Sequence, residues 1–229
     1  MEGITVDRLF RVSKDIELLG HKLKVRALSD LEMQLRHREA MRASVVVERA
    51  LRDPDSTESL VNLAPLEQSA PDDLKSILVI YHQRETQIKA AREIPLDYLP
   101  FPDEATEEEQ REVLARRETH AKLIQDKRKA SVEQEVESYR KSLEDKSVEW
   151  LLAQAKGKTI MANASASFAE EFALHTIYTT LETPEGKRYF DSLDEVRLVP
   201  ASVRNLILTT FSEVNDLDPL RLNGQSATG

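Results

Sequence analysis

Cysteine is absent from this chain of 229 residues, which excludes disulfide bonds, thiolate metal sites and cysteine nucleophiles. Glycine occurs only six times, which argues against glycine-rich loops that wrap phosphate groups. No run of about 18 consecutive apolar residues is present, and the first residues lack the basic-then-apolar pattern of a secretory signal. We therefore expect a cytoplasmic protein that is neither secreted nor embedded in a membrane.

An excess of positive charge is also lacking, because 41 acidic residues outnumber 32 Lys and Arg and leave a net charge of −9. Such a chain repels duplex nucleic acid unless its basic residues cluster. The basic residues between Arg116 and Lys129 are interleaved with acids, so nucleic acid is not an expected partner. Aromatic residues make up only 5%, whereas Ala, Leu, Glu, Lys and Arg are abundant. This composition predicts a mainly α fold.

The N-terminal region holds the only alternating pattern of polar and apolar residues. Residues 15–18 and 22–26 alternate on either side of Gly20, which predicts a β-hairpin. Ser29 and Glu32 then form a capping box, so a helix should begin there. Its predicted apolar face carries Leu31, Leu35 and Met41, and the residue before Pro54 should end it.

A second helix is predicted from Pro71, since proline suits the first helical position. Its predicted buried stripe consists of Leu74, Ile77, Leu78, Tyr81 and Ile88. Residues 94–102 contain three prolines, which exclude a helix and predict an extended connector.

A segment without proline or glycine runs from Asp103 to Lys156 and opens on the capping box Thr106–Glu109. A coiled-coil-like spacing within it joins Val132, Val136, Tyr139, Leu143, Ser147 and Trp150. The polar run 125–129 interrupts the apolar pattern, so the segment is either one long projecting helix or a helical hairpin. We favour the single helix, with Lys127, Arg128 and Lys129 exposed and contributing little to stability.

Gly157 is predicted to cap the end of this segment. Ser167 and Glu170 form a further capping box, before a helix that carries Phe168, Phe172, Ile177 and Leu181. Residues 183–187 predict a turn around Pro184 and Gly186. Residues 193–198 predict a short helix with Ser192 and Glu195 as its capping box. Pro200 opens a last helix with the stripe Val203, Leu206, Ile207, Thr210, Phe211 and Val214.

The predicted fold is therefore an N-terminal β-hairpin packed on a helical core, with a long helix or helical hairpin inserted. Its predicted parts are the hairpin and first helix (1–50), a helix with the proline-rich connector (51–102), a charged arm (103–157), a C-terminal helical unit (158–221) and a flexible tail (222–229).

Several short motifs imitate catalytic or ligand sites. Gly157-Lys158-Thr159 copies the end of a phosphate-binding loop, but Leu152 stands where the first glycine is required. His82 and Glu85 share a helix face without a second metal-ligating pair, and Glu171 with His175 is better explained as a surface pair. No serine lies in a nucleophile elbow. We therefore predict a protein without enzymatic activity, cofactor or metal.

The two ends of the chain resemble a known family. Residues 21–32, which join a short strand, Arg26-Ala27-Leu28 and a helix start, resemble the opening of many tail assembly chaperones of long-tailed phages. The turn Glu185-Gly186-Lys187, the aromatic residues after it and the helix 200–215 are similar to that family's closing unit. Residues 50–165 form a charged helical insert that typical short members lack.

The resemblance implies a non-catalytic factor in the host bacterial cytoplasm that binds the tape-measure protein and gathers tail-tube subunits around it. A tape-measure protein is a long helix with apolar stripes, so helix-packing surfaces are the expected contacts. The candidate partner-binding residues are Val132, Val136, Tyr139, Leu143, Trp150, Val203, Leu206, Ile207, Phe211 and Val214. These residues could instead form the protein's own core. The alternative functions are a structural tail or head-completion protein and a helical adaptor protein of bacterial origin.

Overall fold

The computed structural model describes residues 13–18, 20–94 and 106–216. The fold is mainly α with an N-terminal β-hairpin, as predicted. In chain order its elements are β1 (Ser13–Leu18), β2 (His21–Arg26), α1 (Asp30–Arg52), α2 (Thr57–Asn62), α3 (Ala64–Glu67), α4 (Pro71–Glu93), α5 (Glu107–Ser142), α6 (Val148–Thr180), β3 (Leu181–Glu182), α7 (Leu193–Leu198) and α8 (Ala201–Asp216). No helix among the described residues is long and apolar enough to cross a bilayer.

The chain divides into two compact units. One combines residues up to Ala50 with those from Ala162 onward, and the other is Leu51–Met161. The division predicted between residues 157 and 158 falls inside α6, because that helix is continuous there. The proline-rich connector from Pro95 onward and the tail 222–229 lie outside the described residues.

The first unit contains a three-stranded antiparallel sheet in the order β1-β2-β3. Leu18 pairs with His21 across the predicted hairpin turn, and Gly20 takes the positive φ of 81° that glycine accepts most easily. Strand β3 adds the pair Val25–Leu181. The sequence did not predict β3, since two residues are too few to show an alternating pattern.

Side chains of this sheet pack on α6, α7 and α8 to form the core of the first unit. The buried members are Leu18, Leu23, Val25, Leu174, Ile177, Leu181, Val196 and Ile207. The predicted stripe of α8 faces inward except at Leu206, which is 49% exposed, while Leu208 packs against the core in its stead.

Helix α1 begins at the predicted capping box. The Glu32 amide donates to the Ser29 hydroxyl and the Ser29 amide donates to the Glu32 carboxylate. The apolar face predicted for this helix is wrong, because Leu31, Leu35 and Met41 are 66, 40 and 46% exposed. Ala40 is buried in their place, and Arg36 is directed inward by contacts described below.

In the second unit, α4 and α5 pack antiparallel, with Lys89 bonded to Glu135 and His82 stacked on Tyr139 at 4.0 Å. The buried cluster consists of Leu74, Leu78, Leu143, Leu151 and Ala155. Pro71 begins α4 as predicted. The predicted stripe is wrong at its end, since Ile88 is 51% exposed whereas Thr86 and Ala90 are buried. The short helices α2 and α3 were not predicted.

The single long helix favoured for residues 103–156 is wrong. Helix α5 begins at the predicted Thr106 capping box but ends at Ser142, and α6 begins at Val148, where the Ser147 hydroxyl accepts the Trp150 amide. Because the chain turns back, Leu151 and Ala155 reach the same cluster as Leu143. An uninterrupted helix would leave that apolar surface in water.

The predicted helix end at Gly157 and helix start at Ser167 are both wrong, because both residues lie inside the 33-residue α6. Buried residues recur along this helix on both sides of Gly157, at Leu151, Ala155, Ile160 and Ala164. This tertiary burial outweighs the unfavourable helix propensity of one glycine, about 1 kcal/mol relative to alanine.

Arg128 departs from the expectation that residues 127–129 are merely exposed charges. Its guanidinium donates to the Ile94 carbonyl at 2.6 and 2.8 Å and to the Ala91 carbonyl at 3.3 Å. Ala91 lies in the last turn of α4 and Ile94 directly follows it, where backbone carbonyls have no amide partner within the helix. Arg128 therefore caps α4 from α5, whereas Lys127 and Lys129 are exposed.

Candidate partner-binding surface

The most buried charged group in the described residues joins the two ends of the chain. Arg26, the last residue of β2, has a side chain only 5% exposed. It donates to Glu182 of β3 at 2.6 Å and to both oxygens of Glu32 at 2.7 and 2.9 Å. One guanidinium therefore connects the end of β2 with the capping box of α1 and with the short strand β3.

The ionisation of Glu32 reflects this contact. Burial alone would raise the pKa of its carboxyl, but the bonds and charge of Arg26 and the hydrogen bonds from Ser29 outweigh burial and lower the pKa to about 2. The pKa of Arg26 is raised, since the attraction of Glu32 and Glu182 exceeds the effect of burial. Both groups are therefore charged at neutral pH.

The turn 183–187 continues this arrangement. The Gly186 amide donates to the Thr183 carbonyl and the Thr183 amide to the Lys187 carbonyl, at 2.9 and 2.7 Å. Gly186 has a φ of 79°, as the predicted turn requires. The Lys24 ammonium donates to the Pro184 carbonyl at 3.4 Å. The motif residues at the two chain ends therefore pack against each other.

The first candidate stripe lies mostly inside the second unit. Val132 and Leu143 are buried, Val136 and Tyr139 are partly buried, and Tyr139 also stacks on His82. Trp150 is 38% exposed and has the Lys146 ammonium 5.5 Å from its ring centroid. Of these five, Trp150 is the side chain most open to a partner.

The second candidate stripe lies mostly inside the first unit. Ile207 and Val214 are buried, and Val203 and Phe211 pack against the core. Leu206 points outward. The helical spacing of these residues is therefore accounted for by internal packing, which leaves Leu206 as the accessible member.

The outward face of α1 is the longest run of exposed apolar residues on a described helix of the first unit. Leu31 and Val46 are each 66% exposed, and Leu35, Met41 and Val45 lie between 37 and 46%. Arg38, Arg42 and Arg49 lie on the same face and are also exposed. Sequence reasoning assigned this face to the core because it weighed the leucines and overlooked the arginines among them, which signal contact with water.

Arg36 explains why α1 is oriented in this way. Its guanidinium carbon lies 3.8 Å from the centre of the Phe172 ring, and one of its nitrogens donates to Thr176 at 2.8 Å. Burial lowers its pKa, and its Nε finds no acceptor among the described residues. The cation–π contact with α6 compensates part of this cost and keeps the side of α1 that carries Arg36 turned inward, so the side with Arg38, Arg42 and Arg49 faces solvent.

The motifs that imitate ligand sites are accounted for by packing. Gly157-Lys158-Thr159 lies within α6, where Lys158 bonds both oxygens of Glu85 at 2.5 and 2.7 Å. Glu171 pairs with Arg197 as well as with His175. Within the described ranges, no group of three His, Asp or Glu residues is arranged to hold a metal ion.

Comparison with family models, with curated proteins and with solved structures finds no match for this chain.

Proposed function

We propose that this chain is a non-catalytic tail assembly chaperone of a long-tailed phage, which binds the tape-measure protein and helps to gather tail-tube subunits around it. The observation that carries the proposal is the Arg26–Glu182 salt bridge. It joins Arg26, in the N-terminal segment that resembles this family, to Glu182, which directly precedes the turn 183–187 of the C-terminal segment that resembles it, although 156 positions separate the two residues.

The strand pairing supports the same proposal. Val25 of the N-terminal segment pairs with Leu181, directly before the C-terminal turn, and both are completely buried. Two sequence segments that resemble parts of one family's fold should share a core if the resemblance has a common structural basis. Here both belong to the unit formed by residues up to Ala50 and from Ala162 onward.

The organisation of the middle of the chain is compatible with an insertion into such a fold. Residues 51–161 form a compact unit with a buried cluster of its own around Leu74, Leu78 and Leu143. An insertion of that length is tolerated when it folds by itself, because its packing then does not depend on the host fold. The insert therefore does not argue against the resemblance.

The test is capture of partners from phage-producing cells. The full chain with an affinity tag is expected to retain the tape-measure protein, whereas an unrelated acidic protein with the same tag is not. A mass-spectrometric inventory of purified particles is expected to lack the chain. Its presence there in stoichiometric amounts, or the failure to retain the tape-measure protein, would contradict the proposal.

A further inference from the structure

The outward face of α1 carries a regular pattern. Leu31, Leu35, Arg38, Arg42, Val45 and Arg49 follow one another at intervals of 4, 3, 4, 3 and 4 residues. Alternating steps of 4 and 3 residues repeat every seven residues, an average of 3.5 residues per step over each repeat, and this heptad repeat is that of a helix seam that packs along a second helix. We call these six residues the α1 seam.

Every member of the α1 seam is exposed to solvent. The three apolar members are between 37 and 66% exposed, and the side chains of Arg38 and Arg42 are 58 and 65% exposed. Arg38 and Arg42 both contact Glu39 beside the seam. Exposed pairs of this kind contribute little, so both guanidinium groups can also bond carboxylates that approach from outside.

We infer that the α1 seam binds a helix of another protein that presents apolar residues and carboxylates at the same 3.5-residue spacing. The apolar positions of the seam match apolar residues of such a helix, and its three arginines match acidic ones. The distance from Leu31 to Arg49 is about 27 Å at 1.5 Å per residue, so the matching segment has about five turns.

A second copy of this chain is a poor occupant of the same surface. In a parallel pairing each seam arginine faces its own counterpart, and in an antiparallel pairing Arg38 lies against Arg42. Like charges at facing positions destabilise helix pairs. Charge complementarity therefore favours an acidic amphipathic helix over self-association.

This inference rests on the proposed function for the natural source of the helix, which would be the tape-measure protein. The seam itself is tested with synthetic peptides that contain no phage component. One labelled peptide of three heptads carries Leu at the three seam positions that face the apolar members of the α1 seam and Glu at the three positions that face Arg38, Arg42 and Arg49. Its matched partner carries Lys in place of Glu. Fluorescence anisotropy at low salt measures the affinity of the full chain for each.

The Glu peptide is expected to bind roughly tenfold or more tightly than the Lys peptide. The variant R38E/R42E/R49E should reverse this preference. The control variant R116E/K129E/R140E changes the net charge equally at side chains that are 61 to 75% exposed on α5, and it should keep the preference. The variant L31Q/L35Q/V45Q should weaken both peptides, since it removes the apolar contacts.

Equal binding of the two peptides, or reversal of the preference in the control variant, would overturn the inference. Displacement of the Glu peptide by a short DNA duplex would also overturn it and make the seam a nucleic-acid surface. So would a concentration-dependent dimer, detected by sedimentation, that R38E/R42E/R49E abolishes.

Two outcomes separate this inference from the proposed function. If the seam binds the Glu peptide but the tagged chain does not retain the tape-measure protein, the inference stands and the proposed function fails. If R38E/R42E/R49E retains the tape-measure protein as well as the natural chain does, the proposed function stands and the inference fails.

Discussion

Replacing Gly157 with alanine tests whether α6 is continuous. Gly157 lies inside the helix, and a Cβ atom built on it meets no atom within 4 Å. The substitution adds helix propensity without a steric clash, so we expect the free energy of unfolding to rise by about 0.8–1 kcal/mol. If Gly157 instead ended a helix in the left-handed conformation, alanine would cost about 1–2 kcal/mol. A continuous α6 therefore predicts that G157A raises the free energy of unfolding, and a helix that ends at Gly157 predicts that G157A lowers it.

Urea denaturation followed by tryptophan fluorescence measures this effect in the relevant unit. Trp150 is the single tryptophan of the chain and belongs, like Gly157, to the unit Leu51–Met161. For an m-value of about 2 kcal/mol per molar urea, the expected stabilisation moves the midpoint upward by about 0.4 M. The m-value itself should not change.

Gly186 supplies the matched control, because its φ is 79° and its Cβ position is equally open. G186A should therefore destabilise by about 1–2 kcal/mol through backbone strain alone. Far-ultraviolet circular dichroism reports on this variant, since the substitution lies outside the tryptophan-containing unit. A lowered midpoint for G157A would refute a continuous α6.

Three further predictions follow from single contacts. The carboxyl of Glu32 has a pKa of about 2 in the folded chain and about 4.5 in the unfolded chain. As the pH falls from about 4.5 to about 2, the unfolded chain therefore binds a proton at Glu32 while the folded chain does not. Up to about 3 kcal/mol of the free energy of unfolding is lost over this pH range. R26M should reduce the dependence of stability on pH in this range. An unchanged slope in R26M would exclude the salt bridge as the cause of the pH dependence. R128A should lower stability by about 1–2 kcal/mol through the lost cap on α4, whereas K127A should change it by less than about 0.5 kcal/mol; equal effects in thermal melts would contradict the capping role. L31Q should change the free energy of unfolding by less than about 0.5 kcal/mol, whereas L78A should lower it by about 2–5 kcal/mol. If urea titrations show that L31Q loses as much stability as L78A, Leu31 is buried.

Local chemistry in the sequence predicted most boundaries that depend on neighbouring residues. The Ser29, Thr106 and Ser192 caps each accept the amide three residues on, since the bond needs only one helical turn. The turns at Gly20 and Gly186 were predicted for a similar reason, because the positive φ restricts which residue can occupy them.

Faces and helix lengths were predicted less well, since they depend on distant residues. The spacing of Leu31 and Leu35 predicted a buried stripe. Because Arg36, on the other side of α1, contacts Phe172 of α6, the side that carries Leu31 and Leu35 faces solvent. The spacing pattern from Val132 to Trp150 runs across the turn between α5 and α6. The chain turns there because Leu143 and Leu151 both pack on α4. Periodicity predicts that a helix has an apolar side and does not specify what covers it.

The sequence by itself therefore determined the helical class, the hairpin, the glycine turns and the helix starts capped by Ser29, Thr106 and Ser192, because each depends on interactions within a few residues. Only the tertiary structure decided that α6 continues through Gly157, that the chain turns back between Ser142 and Val148, and that Arg26 meets Glu182. It also decided that the α1 seam is open to solvent. The physical reason is common to these cases: burial and ion pairing between residues far apart in the chain outweigh local propensities of about 1 kcal/mol or less.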